Sequence, residues 1–460
     1  VIESHESDDG WAGRVAFAGG PEPFAYVPNE VVVGGRRGAD IASELYGGRV
    51  DNIETVFPSR EEGAGQFFVL RTDEELDPIS VVHDLRLEGV VAQPNHVLFA
   101  HGDCCCGAHP ADRAQGCVYA SPVYASPVYA SPVYASPVYA SPVYASPVYA
   151  SPVYASPVYA SPVYASPVYA SPVYASELQA TGKRHSSARP AASGGPIRTA
   201  PPGAPKPRVT VLDTGLARDG LRPQSLNRVL HQGASWQEGP DDDGDNFLDP
   251  AAGHGTFISA LIDSLCPGCD LTADRVLTNY GEGNEVAIAQ RIDTLDADLL
   301  NLSFGGYALE HMNVLASAVR AAQERGTVVV ASAGNDGTCR ATFPAALPRV
   351  IGVAAIGPFG PARFSNYGPW VRACAPGVDL VSEFFTVFDG ADVAPPAGTD
   401  PDKFAGWARW SGTSFSAPVV VAALAREMQR GLTAAQAVAR VIDTPGLLRL
   451  ADMGTVVNLA

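Results

Sequence analysis

The sequence predicts an α/β fold over residues 207–460, three αβα layers built on a mainly parallel sheet, with a small α+β domain and a low-complexity repeat ahead of it. Three observations carry that expectation. Apolar strands alternate with helical stretches in the order RVTVL, TFISALIDSL, ADLLNLSF, NVLASAVRAAQERG, TVVVASAG and VIGVAAI. The strands are apolar almost without interruption, as strands are when helices cover both faces of a parallel sheet. Finally, eleven VYASP units and a last VYAS over residues 118–176 separate this region from an earlier stretch of different texture. In sheets of this kind ligands bind beyond the carboxyl ends of the strands, so the chemistry is sought there.

In chain order, residues 1–25 are polar and read as an acidic tail. Residues 26–101 form the small α+β unit: NEVVVGG as a strand, GADIASELYGG as a helix closed by Gly48, GQFFVLRT as a strand, DPISVVHDLRLEGVV as a helix closed by Gly89, and NHVLFA as the last strand. Residues 102–206 read as a cysteine-containing, low-complexity linker. Within the repeat, a proline at every fifth residue removes a backbone donor and biases its predecessor to extended geometry, which favours an extended spacer over a stacked solenoid. The Ala, Gly, Pro and Ser that follow cannot bury enough apolar surface to offset chain entropy.

At 460 residues and 46% hydrophobic, the chain can bury a sizeable core, and its net charge of -18 excludes a broad nucleic-acid role. No apolar run reaches the length of a membrane span. The first residues, VIESHESDDGW, are acidic where a secretory signal is basic and then apolar. Of the eight cysteines, Cys266 and Cys269 have a spacing shared by redox motifs, zinc sites, tight disulfides and plain loops. His101 and His109 flank Cys104, Cys105 and Cys106, but adjacent thiols are poorly placed to close one tetrahedron, and no metal is assigned to them.

Three short motifs fall where a parallel sheet would place a site. Asp213 follows VTVL in VLDTG. His254 opens GHGTFISALI, in which Phe257, Ile258, Leu261, Ile262 and Leu265 recur at helical spacing. Ser414 opens SGTSFSAPVVVAALAREM beside Gly412. Singly, each has a bland reading: a helix cap, a loop histidine, a small-residue turn. An aspartic protease would need a second DTG-like site, and IDTPG at Asp443 has the wrong surroundings. Together and in this order, VLDTG, GHGT and GTSFSAP resemble the subtilisin-like serine proteases (subtilases, peptidase S8).

The resemblance implies a subtilisin-like fold and a triad of Asp213, His254 and Ser414, in which the histidine deprotonates the serine and the aspartate orients the histidine. It implies Asn335, in VVVASAGNDG, as an oxyanion donor, and Ser303, Phe304, Gly305 and Gly306, in LNLSFGG, as a substrate-binding edge. Residues 26–101 resemble the family's ferredoxin-like inhibitory propeptide, with cleavage just beyond VLF in NHVLFAHG. Phe257 and Phe415 depart from the His and Met of many members. No cofactor is implied. PDDDGDNFLD reads first as a solvated acidic turn, since it lacks the glycine position and terminal Glu of an EF-hand loop, and second as a calcium loop through Asp241, Asp243 and Asp245.

The expected function is a self-processing serine endopeptidase acting on peptides or proteins, with its own propeptide as a partner in cis and neither nucleic acid nor a membrane span as partner. Two alternatives stand beside it: an idle scaffold that binds through the repeat, and a maturation protease dedicated to one peptide. The expected compartment is extracellular by resemblance, or cytoplasmic if the chain is complete.

Overall fold

The computed structural model describes residues 3–4, 14–18, 23–58, 60, 66–100, 109–110, 203–231, 236–394 and 401–459. His101, the cysteines ahead of the repeat and the whole VYASP run lie outside them. The described residues all belong to one compact unit.

The N-terminal part of this unit runs β1 (Phe24–Gly34), α1 (Gly35–Tyr46), β2 (Val50–Thr55), β3 (Phe67–Thr72), α2 (Pro78–Leu87) and β4 (Ala92–Ala100). Its strands pair antiparallel in the order β2-β3-β1-β4. Alternate residues Val31, Val33, Phe68 and Leu70 face Ala39 and Ala42 of α1 and Val81, Val82 and Leu85 of α2. Local chemistry sets the helix limits. Asp77 accepts hydrogen bonds from the Ile79 and Ser80 amides, and Pro78 occupies the first helical position, where no amide is needed. Two expectations are corrected. The glycine that closes α1 is Gly47, at φ 54, rather than Gly48. Arg14–Ala18 is not tail but a strand pairing with the start of β1, because Val15 finds a buried place beside Ala25 and Val27.

The C-terminal part runs β5 (Arg208–Asp213), α3 (His254–Leu265), β6 (Asp270–Arg275), α4 (Glu285–Asp293), β7 (Leu299–Leu302), α5 (Asn313–Glu324), β8 (Val328–Ser332), β9 (Ile351–Gly357), β10 (Val371–Pro376), α6 (Thr413–Gln429), α7 (Ala434–Val441) and β11 (Gly454–Val456). Among the described residues the sheet has seven parallel strands in the order β6-β5-β7-β8-β9-β10-β11, with Arg449–Leu450 antiparallel at one edge. Alternate strand residues Leu212, Leu300, Leu302, Val329 and Ala331 join α4 and α5 in one apolar cluster. Helix α6 packs on β7 to β10 and on α3, completing the third layer. The α/β reading therefore holds, and the sheet's carboxyl edge lies where Asp213 ends β5.

The two parts meet through β4. It lies between two short strands of the C-terminal part, Glu282–Asn284 and Phe304–Gly305, and pairs antiparallel with both. Leu98 enters the large apolar cluster. Side chains of β4 also complete helix starts across the interface: Gln93 Oε1 accepts from the Asn313 amide of α5 at 2.7 Å, and Asn95 Oδ1 from the Val286 amide of α4 at 3.3 Å. Glu285 is fully buried there, accepting from Gln93 Nε2 at 2.7 Å and from the Leu315 amide at 3.0 Å, with His96 Nδ1 at 2.7 Å.

Candidate active site

Asp213 is the last residue of β5, and His254 the first of α3. Two glycines let the helix start pack closely, one against Phe384 and the other against the loop after Asp213. Gly253 has φ 79, and a Cβ on it would stand 2.1 Å from the Phe384 ring; a Cβ on Gly255 would stand 2.3 Å from the Gly215 carbonyl oxygen. With the backbones this close, His254 Nδ1 reaches Asp213 Oδ1 at 2.6 Å, and the same oxygen accepts from the Thr214 amide at 2.8 Å. Both side chains are buried, so the pairing is not diluted by solvent.

Ser414 is the second residue of α6. Pro418, four residues on, has no amide to bond the Ser414 carbonyl, and the Ser303 hydroxyl donates to that carbonyl at 2.7 Å instead. In return the Ser414 hydroxyl donates to the Ser303 carbonyl at 2.8 Å. His254 Nε2 is buried and has no hydrogen-bond partner among the described residues. Phe415 sets its ring 5.3 Å from the His254 ring and 4.7 Å from Phe257, while Trp410 stands edge-on to His254 at 5.4 Å. The two aromatic departures noted in the sequence thus pack on each other as one apolar wall of the histidine.

The Asn335 carboxamide oxygen accepts from the Thr413 amide at 3.0 Å and its hydroxyl at 2.9 Å, which fixes the side chain against the start of α6. Of the four expected edge residues, Phe304 and Gly305 pair with Ala100 and Phe99. Ser303 instead holds Ser414, and Gly306 bridges to Phe343, its α-carbon so close to β4 that a Cβ would stand 2.9 Å from the Val97 carbonyl oxygen. The opposite edge, Glu282–Asn284, escaped the sequence reading because EGN has no strand-forming side chain; pairing with β4 makes it a strand.

The acidic loop brings Asp241, Asp243 and Asp249 to within 4.8 Å of one another, with Asp249 in the place expected for Asp245. Asp245 accepts from the Phe247 amide, and Asp241 from the amides of Gly244 and Asn246, as in an acidic turn. Burial pushes Asp249 up to about 7. Three carboxylates are a hard-oxygen donor set suited to calcium. Cys266 and Cys269 are buried with their sulfurs 2.8 Å apart. No helix among the described residues is long and apolar enough to cross a membrane.

Residues 205–451 match the subtilase family, and the chain belongs to that family. Among curated relatives it is 33% identical over 208 residues to a thermophilic serine proteinase of Bacillus sp. (strain AK1), covering 41% of this chain and 49% of that protein. It is 32% identical to a thermostable alkaline protease of Halalkalibacterium halodurans, covering 41% and 54% of the two chains, and 30% identical to subtilisin Savinase of Lederbergia lenta, covering 48% and 76%. The chain thus spans about half the length of the first two. Among solved structures, fervidolysin from Fervidobacterium pennivorans, a keratinolytic enzyme related to subtilisin, superimposes with a TM-score of 0.55 at 17% identity over 96% of this chain and 61% of that one, a likeness of fold.

Proposed function

We propose that this chain is a serine endopeptidase made as a proenzyme, with Asp213, His254 and Ser414 as its triad and residues 26–101 as its inhibitory domain. The observation that carries the reading is the course of β4: an extended segment laid between two edges, leaving its pairing beside Ser303, whose carbonyl holds the Ser414 hydroxyl. The buried Asp213–His254 pair completes the set. Strand addition of this kind binds a peptide through main-chain bonds and so accepts many sequences.

In the reaction, Ser414 turns from the Ser303 carbonyl toward His254 Nε2, which takes its proton as the oxygen attacks the substrate carbonyl. Asp213 holds the proton on Nδ1 and stabilises the imidazolium. The oxyanion is met by the Asn335 amide and the Ser414 backbone N–H at the start of α6. His254 then protonates the leaving amine, and water releases the acyl group by the same steps in reverse. The chemistry needs no metal, and no step runs through the acidic loop. The bond cut in maturation lies just beyond Ala100, and residues 102–206, repeat included, serve as the tether between the two parts. We place the enzyme outside the cell, by likeness to a 29% identical relative, the minor extracellular protease Epr of Bacillus subtilis.

The test is labelling of the purified chain with a fluorophosphonate. The adduct is expected on Ser414, mapped by mass spectrometry; a chain that stays unlabelled after its N-terminal part is removed would favour the scaffold alternative.

Glu285→Ala probes the inhibitory contact. It leaves His96, Gln93 and the Leu315 amide without their shared acceptor, a loss worth about 2 kcal/mol or more, or roughly thirtyfold in the hold on β4. In the full chain carrying Ser414→Ala, β4 amides are expected to exchange with deuterium about thirtyfold faster. Unchanged exchange would place the grip in strand pairing alone.

A further inference from the structure

Glu238 is a buried carboxylate that the reaction just described does not use, yet its bonds run to both halves of the Asp213–His254 pair. It ends the short strand Gln237–Glu238, which pairs parallel with Leu216–Ala217, and is 1% exposed. Its Oε2 accepts from the Gly253 amide at 3.0 Å. Its Oε1 accepts from the Thr256 amide at 3.2 Å and the Thr256 hydroxyl at 2.6 Å. The Thr214 hydroxyl also bonds to it, and that hydroxyl in turn accepts from the Gly255 amide at 2.9 Å. Thr214 follows Asp213; Gly253, Gly255 and Thr256 surround His254.

Each neighbour so placed points a proton at the carboxylate. The Thr256 hydroxyl accepts from the Ala217 amide at 2.7 Å, which leaves its own proton for Glu238. Nothing in this set accepts a proton from Glu238, so the ionised form fits it, and the positive end of α3 favours the same form. Burial works the other way and raises its pKa, with the Asp213 charge adding to the rise, while the bonds from Thr214, Thr256 and Gly253 lower it. Two cations lie along the same strand: Arg275 donates to the Gln237 carbonyl at 2.7 Å, and the Arg218 guanidinium stands near Gly239, while Asp242 faces Arg275. Gly253, the residue before α3, contributes no side-chain cap, so the cap comes from Glu238, across the fold.

From this geometry we infer that Glu238 is a positioning residue for catalysis: its carboxylate clamps the loop after Asp213 to the helix start that carries His254, and its negative charge makes His254 a stronger base. The inference rests on the triad reading above. It goes beyond it in assigning to a residue outside the triad both the alignment and part of the basicity of the histidine.

The test measures the second-order rate of Ser414 phosphonylation by a small fluorophosphonate from pH 4 to 9. It uses the full chain after its own processing, as wild type, Glu238→Gln and Glu238→Asp. Attack requires neutral His254, so the rate falls on the acid side with the imidazole's pKa. Removing a nearby negative charge lowers that pKa. Glu238→Gln is therefore expected to move the acid limb about one unit lower and to slow the plateau about tenfold, since its amide group turns a donor toward donors. Glu238→Asp keeps the charge and is expected to keep the limb within a few tenths of a unit, whatever its plateau.

A Gln variant that is folded by near-UV circular dichroism and keeps the wild-type limb overturns the inference, leaving Glu238 as a helix cap only. So does an Asp variant whose limb moves as far as that of Gln. If Glu238→Gln does not fold, Thr214→Val, which removes one donor to Glu238, is read in its place; it is expected to slow labelling about threefold or more, and a wild-type rate overturns the inference as well. A wild type that is not labelled at any pH is a different failure: it removes the triad reading itself.

Discussion

Ser414→Ala is expected to leave the chain full length and without peptidase activity. The attacking oxygen is gone and no other hydroxyl stands at the start of α6 in its place, since Thr413 is bound to Asn335. In subtilisin itself, a member of this family, losing the serine costs about six powers of ten in turnover, and a loss of that order is the expectation here. The fold should survive. The substitution removes one hydrogen bond, from the Ser414 hydroxyl to the Ser303 carbonyl, worth about 1 kcal/mol, and it spares the bond that Ser303 donates to the Ser414 carbonyl. Intact mass of the variant expressed alone, with casein hydrolysis alongside wild type, decides the matter. A variant that still matured by itself would move the nucleophile elsewhere, and a wild type that never matured would weaken the proenzyme reading.

What the sequence made legible was whatever depends on near neighbours. The apolar runs of β5, β7 and β8 alternate with amphipathic helices, and that pattern is enough to place a parallel sheet and to point at its carboxyl edge. Asp213 and His254 each end or begin an element there, so three motifs could be found without knowing that the two side chains touch. Features that depend on contacts across the chain were not legible. Glu282–Asn284 becomes a strand only against β4, nearly two hundred residues away in the chain. Glu285 reads as an ordinary first-turn acid of α4, and nothing local shows that His96 and Gln93 cover it. Glu238 lies in a glycine- and acid-rich stretch that looks solvated; its burial follows from the parallel pairing of Gln237–Glu238 with Leu216–Ala217. Asp249 displaces Asp245 from the acidic cluster for a similar reason, because it folds back to meet the Asp242 amide at 2.9 Å.

Asn335→Ala is expected to lower turnover by about two to three powers of ten with little change in Michaelis constant. In subtilisin, a member of this family, removal of an oxyanion-hole donor costs about that much. The way the side chain is held fits the role. Its oxygen is engaged twice by Thr413, which holds the carboxamide at the start of α6, where the Ser414 backbone N–H is the natural second donor. A donor held in this way gains most when charge develops on the substrate oxygen, which is why the loss should appear in turnover and not in binding. Alanine also deprives the Thr413 amide of its acceptor, a helix-start defect of about 1 kcal/mol that could lower activity for an unrelated reason. Asn335→Asp separates the two effects: it retains an acceptor for Thr413 but sets a carboxylate oxygen where the donor was. If the amide serves the oxyanion, the Asp variant should melt near the wild-type temperature and still lose at least as much turnover as the Ala variant. An Asp variant with wild-type turnover would show that Asn335 only anchors the start of α6, and the oxyanion would then have to be met by the Ser414 amide and some other group.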